Sequence, residues 1–190
     1  MYYYIDIIEK IPLNKGWSAD KKYRAITASG ESYLLRIGPL GRSSQFWMQH
    51  LHMQKVARLG IPMSMPLEKG TCKEGLYLVQ SWIDGEDAEE LVMSMDEEKQ
   101  YRYGLDAGRI LAKIHTIPAP KDVPSWETRF NAKIDRKIAM YENCELKYES
   151  GGEAFLEYIS QNRHLLSGRP QTYQHGDYHV GNMMIDREGI

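Results

Sequence analysis

The sequence has little cysteine and no excess of charge of one sign. Among its 190 residues only Cys72 and Cys144 are cysteines, far apart and outside any Cys-x-x-Cys spacing. This indicates neither a disulfide framework nor a zinc site, so a reducing cytoplasm is the expected compartment. The formal net charge of -2 at pH 7 gives no broad attraction to nucleic acid or to an anionic membrane surface.

Long apolar runs are also missing. No stretch approaches the roughly twenty apolar residues of a membrane span, and segment 1–9 lacks a basic start and contains acidic residues. We therefore expect neither export nor a membrane anchor. Hydrophobic residues make up 42% and charged residues 26% of the chain, which is typical of a globular protein of one domain or two small lobes. Partner recognition must then come from a specific site.

One short segment carries most of the chemical information. Residues 175–182 read His-Gly-Asp-Tyr-His-Val-Gly-Asn, so that Asp177 precedes Asn182 by five positions. Kinase-like enzymes use such a loop to place a base and a metal ligand beside one phosphate. Two other interpretations are open: these are ordinary loop residues, or His175, Asp177 and His179 converge on one ion in a metallohydrolase site. The metallohydrolase interpretation leaves Asn182 unexplained.

This segment resembles the His-Gly-Asp-x-His-x-x-Asn loop of the aminoglycoside phosphotransferase and choline kinase-like family, with every fixed position present. The resemblance implies an α+β, two-lobed protein kinase-like fold, with a nucleotide-binding lobe at 1–82 and an incomplete catalytic lobe at 83–190. It implies that Asp177 orients or deprotonates an acceptor hydroxyl. Asn182 would bind a Mg²⁺ ion that bridges the phosphates of ATP or GTP, and the acceptor would be a small molecule.

The amino-terminal part of the sequence favours a β-hairpin. Two β-rich pieces, 23–28 and 33–37, are joined by a turn at 29–31. The resemblance places a phosphate-covering loop just before them, at Gly16, Trp17 and Ser18, where backbone N–H groups and the serine hydroxyl would act as donors. Taken alone, a Gly-x-Ser segment predicts only a turn.

A single cation interrupts the second apolar strand. Arg36 stands where the resemblance places the lysine that holds the α- and β-phosphates, although an arginine would bind them in a different geometry. Alternatively, Arg36 is a strand residue whose head lies in solvent. The following helix, 45–59, resembles the one that carries a glutamate paired with this cation. Because no acidic residue occurs between Glu31 and Glu68, Gln49 is the nearest polar substitute.

Segment 76–85 is an apolar strand that runs into an Asp-Gly turn. The resemblance identifies it as the last strand of the amino-terminal lobe and the hinge where the purine binds. Alternating residues of an extended segment point their backbone groups the same way, so Ser81 and Ile83 are the predicted partners of the purine edge. Without its neighbours, the segment is also an ordinary strand that ends in a turn.

Three further helices are predicted at 97–115, 126–141 and 153–166 from their apolar periodicity and their breakers. The resemblance implies that the last two wall the acceptor site. Acidic residues in this region could attract a cationic acceptor, but they are interleaved with basic residues, a pattern typical of a solvated helix face. The acceptor therefore stays unidentified.

The last residues predict a strand at 183–185 and a turn at 186–189. The resemblance places a second metal-binding carboxylate beyond the return strand that Ile190 would open, and Asp186 comes too early to replace it. We therefore expect a fragment with weak nucleotide affinity and no appreciable phosphotransferase activity. A noncatalytic nucleotide-binding module is the alternative.

The same resemblance predicts that apolar helix faces near 107–114 and 155–159 lack their usual cover. Exposed apolar faces favour association between molecules. Self-association or instability of the chain is therefore expected.

Overall fold

A computed structural model describes residues 3–15, 19–145, 151–187 and 189–190. The chain divides into two compact units, the first formed by Met1–Ile114 with His175–Ile190 and the second by His115–Gln174. The first unit contains the strand, the hinge and the loop that bear the predicted site residues.

A five-stranded antiparallel sheet forms much of the first unit. Its strand order is β1-β2-β3-β5-β4, with β1 at Ile7–Pro12, β2 at Lys21–Thr27, β3 at Ser32–Gly38, β4 at Pro66–Cys72 and β5 at Gly75–Ser81. The two predicted β-rich pieces correspond to β2 and β3, and the apolar strand of the hinge segment corresponds to β5. The strands β1 and β4, at the two edges of the sheet, were not predicted.

The two faces of this sheet pack differently. One face holds a core that includes Ala25, Leu35 and Val79, all fully buried. On the other face, helix α1 (Ser43–Ala57) packs Phe46 against Leu76 and Leu78. Since successive side chains of a strand point to opposite faces, Arg36, the neighbour of Leu35, lies on the face that α1 covers.

The hinge segment joins the 175–182 loop through a second, two-stranded sheet. Strand β6 (Glu86–Asp87) pairs antiparallel with β7 (Met184–Ile185), and helices α2 (Ala88–Val92) and α3 (Glu97–Ile114) follow β6. Gly85 permits this pairing, because a Cβ atom there would lie 2.6 Å from the carbonyl oxygen of Ile185. The residues after β5 are thereby fixed to the strand that follows the loop.

The second unit contains helices α4 (Trp126–Glu142) and α5 (Gly152–Asn162). Helix α5 was predicted to reach residue 166, but a 3₁₀ turn, Arg163–Leu166, replaces its last turn. The side chain of Asn162 donates a hydrogen bond to the carbonyl oxygen of Tyr158 at 2.8 Å, in competition with the helical pattern. Arg163 then binds the Asp135 carboxylate on α4 at 2.6 Å.

The predicted exposure of apolar helix faces is wrong for α3 and agrees with the structure for α5. Ala107 and Ile114 are only 8% and 6% exposed, whereas Phe155 and Tyr158 on α5 are 73% and 64% exposed. Ala107 is covered because Tyr178 docks against this part of α3. Within the described ranges, no helix is both long and apolar enough to cross a membrane.

Candidate active site

Helix α3 supports the 175–182 loop through Tyr178. The hydroxyl of Tyr178 donates a hydrogen bond to the backbone carbonyl of Ala107 at 2.7 Å. Partial burial raises the pKa of this hydroxyl, so it stays a neutral donor at physiological pH. The ring of His175 packs edge-on against the Tyr178 ring, with centroids 5.2 Å apart. The loop is therefore attached to a regular helix by its middle residue.

Asp177 and Asn182 come together, as the sequence predicts for a base and a metal ligand. The Nδ2 of Asn182 donates hydrogen bonds to Oδ2 and to the backbone oxygen of Asp177, each at 2.9 Å. The 3₁₀ turn Val180–Asn182 brings the two ends of the loop together. The Asp177 side chain is 75% exposed, so an acceptor could reach it from solvent.

The amide oxygen of Asn182 suits a magnesium ion. Its Nδ2 faces Asp177, and in the described part of the chain its Oδ1 accepts no hydrogen bond. Magnesium prefers oxygen ligands and keeps several waters, which an exposed amide oxygen beside a carboxylate allows. The amide oxygen of Asn182 therefore fits a Mg²⁺ ion.

His179 stabilises the loop by a hydrogen bond with the loop backbone. Its Nδ1 accepts a hydrogen bond from the N–H of Gly181 at 3.2 Å, and its Nε2 lies 3.5 Å from Oδ1 of Asp177. His175 packs on Tyr178 instead. No group of three or more His, Cys, Asp or Glu side chains that could hold a metal ion is present among the residues with described positions. The geometry required by the metallohydrolase interpretation is thus not formed.

Arg36 is held by an acidic residue that the sequence analysis missed. Its Nη2 donates to Oδ2 of Asp20 at 2.5 Å, and the two side chains are only 14% and 4% exposed. The interpretation of Arg36 as a strand residue with its head in solvent is therefore wrong. Gln49 is exposed on α1, so Asp20, rather than Gln49, is the partner of Arg36. The family resemblance places this acid on the helix, whereas Asp20 immediately precedes β2.

The hinge residues differ in how their backbone groups are used. The N–H of Ser81 donates to the Met65 oxygen at 2.9 Å, and its carbonyl oxygen accepts from the Ser64 hydroxyl at 2.6 Å. A purine could bind the Ser81 N–H only by displacing its bond to Met65, whereas the carbonyl oxygen can accept a second hydrogen bond. Ile83 follows the end of β5 and is half-buried, and no backbone partner for it is found in the described ranges. Ile83 is the better-placed hinge candidate.

The predicted phosphate-covering residues Gly16, Trp17 and Ser18 lie outside the described residues. Lys15, which comes immediately before them, forms an ion pair with Asp87. Asp87 belongs to β6 and also caps α2, because its side chain accepts a hydrogen bond from the second residue of that helix. Lys15, at the start of the predicted loop, is thus bound to β6, which directly follows the hinge segment. Neither was predicted, because Lys15 is an isolated charge and Asp87 is one of several acidic residues in segment 84–90.

Arg36, the hinge and the 175–182 loop all lie in the first compact unit. Comparison with known proteins identifies the family of the chain. Residues 10–190 match the Phosphotransferase enzyme family. The chain belongs to this family. No curated protein matches the chain, but solved structures of aminoglycoside phosphotransferases do.

Three of these structures illustrate the likeness. Aminoglycoside-3′-phosphotransferase of type VIII is 17% identical with a TM-score of 0.56, and the match covers 94% of this chain and 66% of that one. APH(3″)-Id from Streptomyces rimosus, in complex with ADP and streptomycin, is 14% identical with a TM-score of 0.60, and the match covers 94% of this chain and 66% of that one. APH(2″)-IIa, in its ternary complex with streptomycin and ATP, is 16% identical with a TM-score of 0.66, and the match covers 97% of this chain and 64% of that one.

At these identities the likeness concerns the fold, and it confirms the predicted α+β, protein kinase-like fold with a small β-rich amino-terminal lobe. The chain spans slightly less than two thirds of the length of the aminoglycoside phosphotransferases that it matches. The lobe boundary near residue 82 stays a prediction. So do the roles of the individual site residues.

Proposed function

We propose that this phosphotransferase-family protein binds ATP or GTP with Mg²⁺ and transfers the terminal phosphate to a hydroxyl group of a small molecule; that residues 1–190 by themselves have no appreciable activity stays a prediction. The observation that carries the proposal is the direct contact between Asp177 and Asn182 in an exposed loop. Family membership supports it. Structural neighbours in complex with ADP, ATP and GDP support the choice of a purine nucleotide.

In the proposed reaction, the acceptor hydroxyl oxygen bonds to the γ-phosphorus. The bond from that phosphorus to the β–γ bridging oxygen breaks, and the nucleoside diphosphate leaves. Asp177 accepts the hydroxyl proton, as its exposed carboxylate allows. Asn182 would hold Mg²⁺, whose charge offsets that of the phosphates. The hydrogen bond from Asn182 keeps the Asp177 carboxylate oriented before the acceptor arrives.

The triphosphate would meet a surplus of positive charge around Arg36. Lys22 stands opposite Arg36 in the β2–β3 register, and Arg42 lies 3.6 Å from the Asp20 carboxylate. Burial and the nearby Arg36 lower the pKa of Lys22. One carboxylate therefore faces three cations, a balance that favours binding of a polyanion.

For the acceptor we propose a hydroxyl-rich, aminoglycoside-like molecule. Structural neighbours are in complex with streptomycin, kanamycin and gentamicin. The acidic residues of the second unit are interleaved with basic ones, and Asp135, for example, is occupied by Arg163. These acids alone do not define a cationic pocket, so the proposal depends on the neighbours.

The test measures acceptor-dependent release of ADP or GDP across a panel of aminoglycosides, choline and other small alcohols. Asp177→Asn should lower turnover by about 10² to 10⁴ while nucleotide affinity changes by less than about threefold, because Asp177 faces the acceptor. Asp122→Asn, an exposed aspartate in the second unit, is the matched control and should leave turnover unchanged. Unchanged turnover in Asp177→Asn would remove its proposed role. Nucleotide binding without turnover on any acceptor would agree with the expected inactive fragment and with the noncatalytic nucleotide-binding module.

A further inference from the structure

The carboxylate of Asp20 lies on the α1 face of the sheet, beside Arg36. We propose that Asp20 is the positioning residue that holds Arg36 ready for the nucleotide phosphates, in place of a carboxylate on α1. This inference rests on the proposed function, because it assigns a role within the same nucleotide site.

Strand register brings the two residues together. Lys22 stands directly opposite Arg36 in the β2–β3 pairing, and Asp20 is two positions before Lys22. Asp20 is thus a diagonal neighbour of Arg36 on the same face, a distance that a long side chain can span. A one-residue shift of this register would turn Asp20 to the opposite face of the sheet, away from Arg36.

The contact with Asp20 engages only one of the three guanidinium nitrogens of Arg36. Nη2 of Arg36 binds Oδ2 of Asp20 at 2.5 Å, whereas Nε is buried and has no hydrogen-bond partner in the structure. Nη1 also has none within the described part of the chain. The guanidinium is therefore fixed at one corner, and Nη1 keeps its donors for a second anion. Phosphate oxygens match such a fork of donors well.

Burial makes a purely stabilising role a poor explanation. Asp20 is 4% exposed, and its Oδ1 is buried without a hydrogen bond. Arg42 approaches that oxygen only to 3.6 Å. An ion pair with unsatisfied buried atoms contributes little net stability, because desolvation offsets the attraction between the charges. A requirement at the phosphate site accounts for the pair better.

The surrounding backbone is shaped to receive Asp20. At Gly38, the last residue of β3, a Cβ atom would lie 3.1 Å from Oδ1 of Asp20 and 2.7 Å from the ring of Phe46. The absence of a side chain at this position leaves room for both the carboxylate and the helix residue. Residues of β3 and α1 thus together form the space that the Asp20 carboxylate fills.

The test titrates the whole chain with MgATP, MgGTP, adenosine and guanosine by calorimetry. Asp20→Asn keeps the size of the side chain and removes its charge. We expect it to weaken triphosphate binding by about tenfold or more, with nucleoside binding unchanged, because Arg36 faces only phosphates. Asp20→Asn combined with Arg36→Ala should bind no more weakly than Arg36→Ala alone. Asp135→Asn, which breaks an aspartate–arginine pair of the second unit, should have no effect.

The possible results separate this inference from the proposed function. Absence of nucleotide binding by the unmodified chain would overturn both. Binding that Asp20→Asn leaves unchanged would overturn only the positioning role, and tighter binding would do so too, by showing that Asp20 competes with phosphate for Arg36. If Asp20→Asn is unfolded at the assay temperature, Asp20→Glu decides. This variant retains the charge but displaces it, and should lose about threefold or more in triphosphate affinity. No loss would overturn the inference.

Discussion

At the scale of single residues, the Asp177–Asn182 contact can be predicted from the sequence, whereas the Asp20–Arg36 contact cannot. Asp177 and Asn182 stand close together in a single motif, so their meeting in space follows from a short loop. The Asp20–Arg36 pair depends instead on the β2–β3 register, which no local motif specifies. This is why the sequence pointed to Gln49 as the partner of Arg36.

His50 on α1 is expected to make stability depend on pH. It is 4% exposed, and its Nδ1 has no hydrogen-bond partner among the described residues. Burial and the nearby charge of Lys69 lower the pKa of His50, so the unfolded chain binds the proton more readily than the folded one. Stability is therefore lost as the pH falls through the ordinary histidine value of about 6.5 and on towards the lowered folded pKa.

Thermal unfolding between about pH 7.5 and about pH 5.5 checks this expectation. The melting temperature of the unmodified chain should fall more steeply with decreasing pH than that of His50→Gln, which cannot gain the proton. The matched control is His164→Gln, at an exposed histidine of the second unit, which should keep the original slope. Parallel curves for His50→Gln and the unmodified chain would contradict the assignment.

At the scale of elements, Gly85 is expected to be essential for the pairing of β6 with β7. Gly85→Ala places a Cβ atom 2.6 Å from the Ile185 carbonyl oxygen, so the strands must separate, at a cost of about 1 to 3 kcal/mol. Urea unfolding measures this loss. Gly104→Ala is the control, because this α3 glycine has no atom within 4 Å of a new Cβ and alanine favours helix by about 1 kcal/mol. Equal effects of the two substitutions would show that the close contact is unimportant.

The elements that the sequence predicted are those with strong apolar patterns. Strands β2, β3 and β5 and helices α1, α3 and α4 lie near their predicted positions. The missed strands, β1 and β4, form the two edges of the sheet. Edge strands pair on one side only and tolerate charged residues and proline, and both contain them. Their position in the sheet, rather than their composition, makes them strands.

At the scale of the whole molecule, exposed apolar residues on α5 are expected to cause self-association. Phe155 and Tyr158 are 73% and 64% exposed and, three positions apart on a helix, share one face. Sedimentation velocity should show a mass that increases with concentration, and Phe155→Ser combined with Tyr158→Ser should reduce that increase. Glu153→Ser, at an exposed position of the same helix, should not. A chain that is monomeric at every concentration would contradict this expectation.

Magnesium-dependent nucleotide binding tests the central claim most directly, because the amide oxygen of Asn182 is proposed to hold the metal. In titration calorimetry with ATP and GTP, Mg²⁺ should strengthen binding to the unmodified chain by about tenfold or more relative to EDTA. Asn182→Ala should lose this enhancement while its metal-free binding stays the same. The account is contradicted if the chain binds neither nucleotide in the presence of Mg²⁺, or if Mg²⁺ strengthens binding equally in Asn182→Ala.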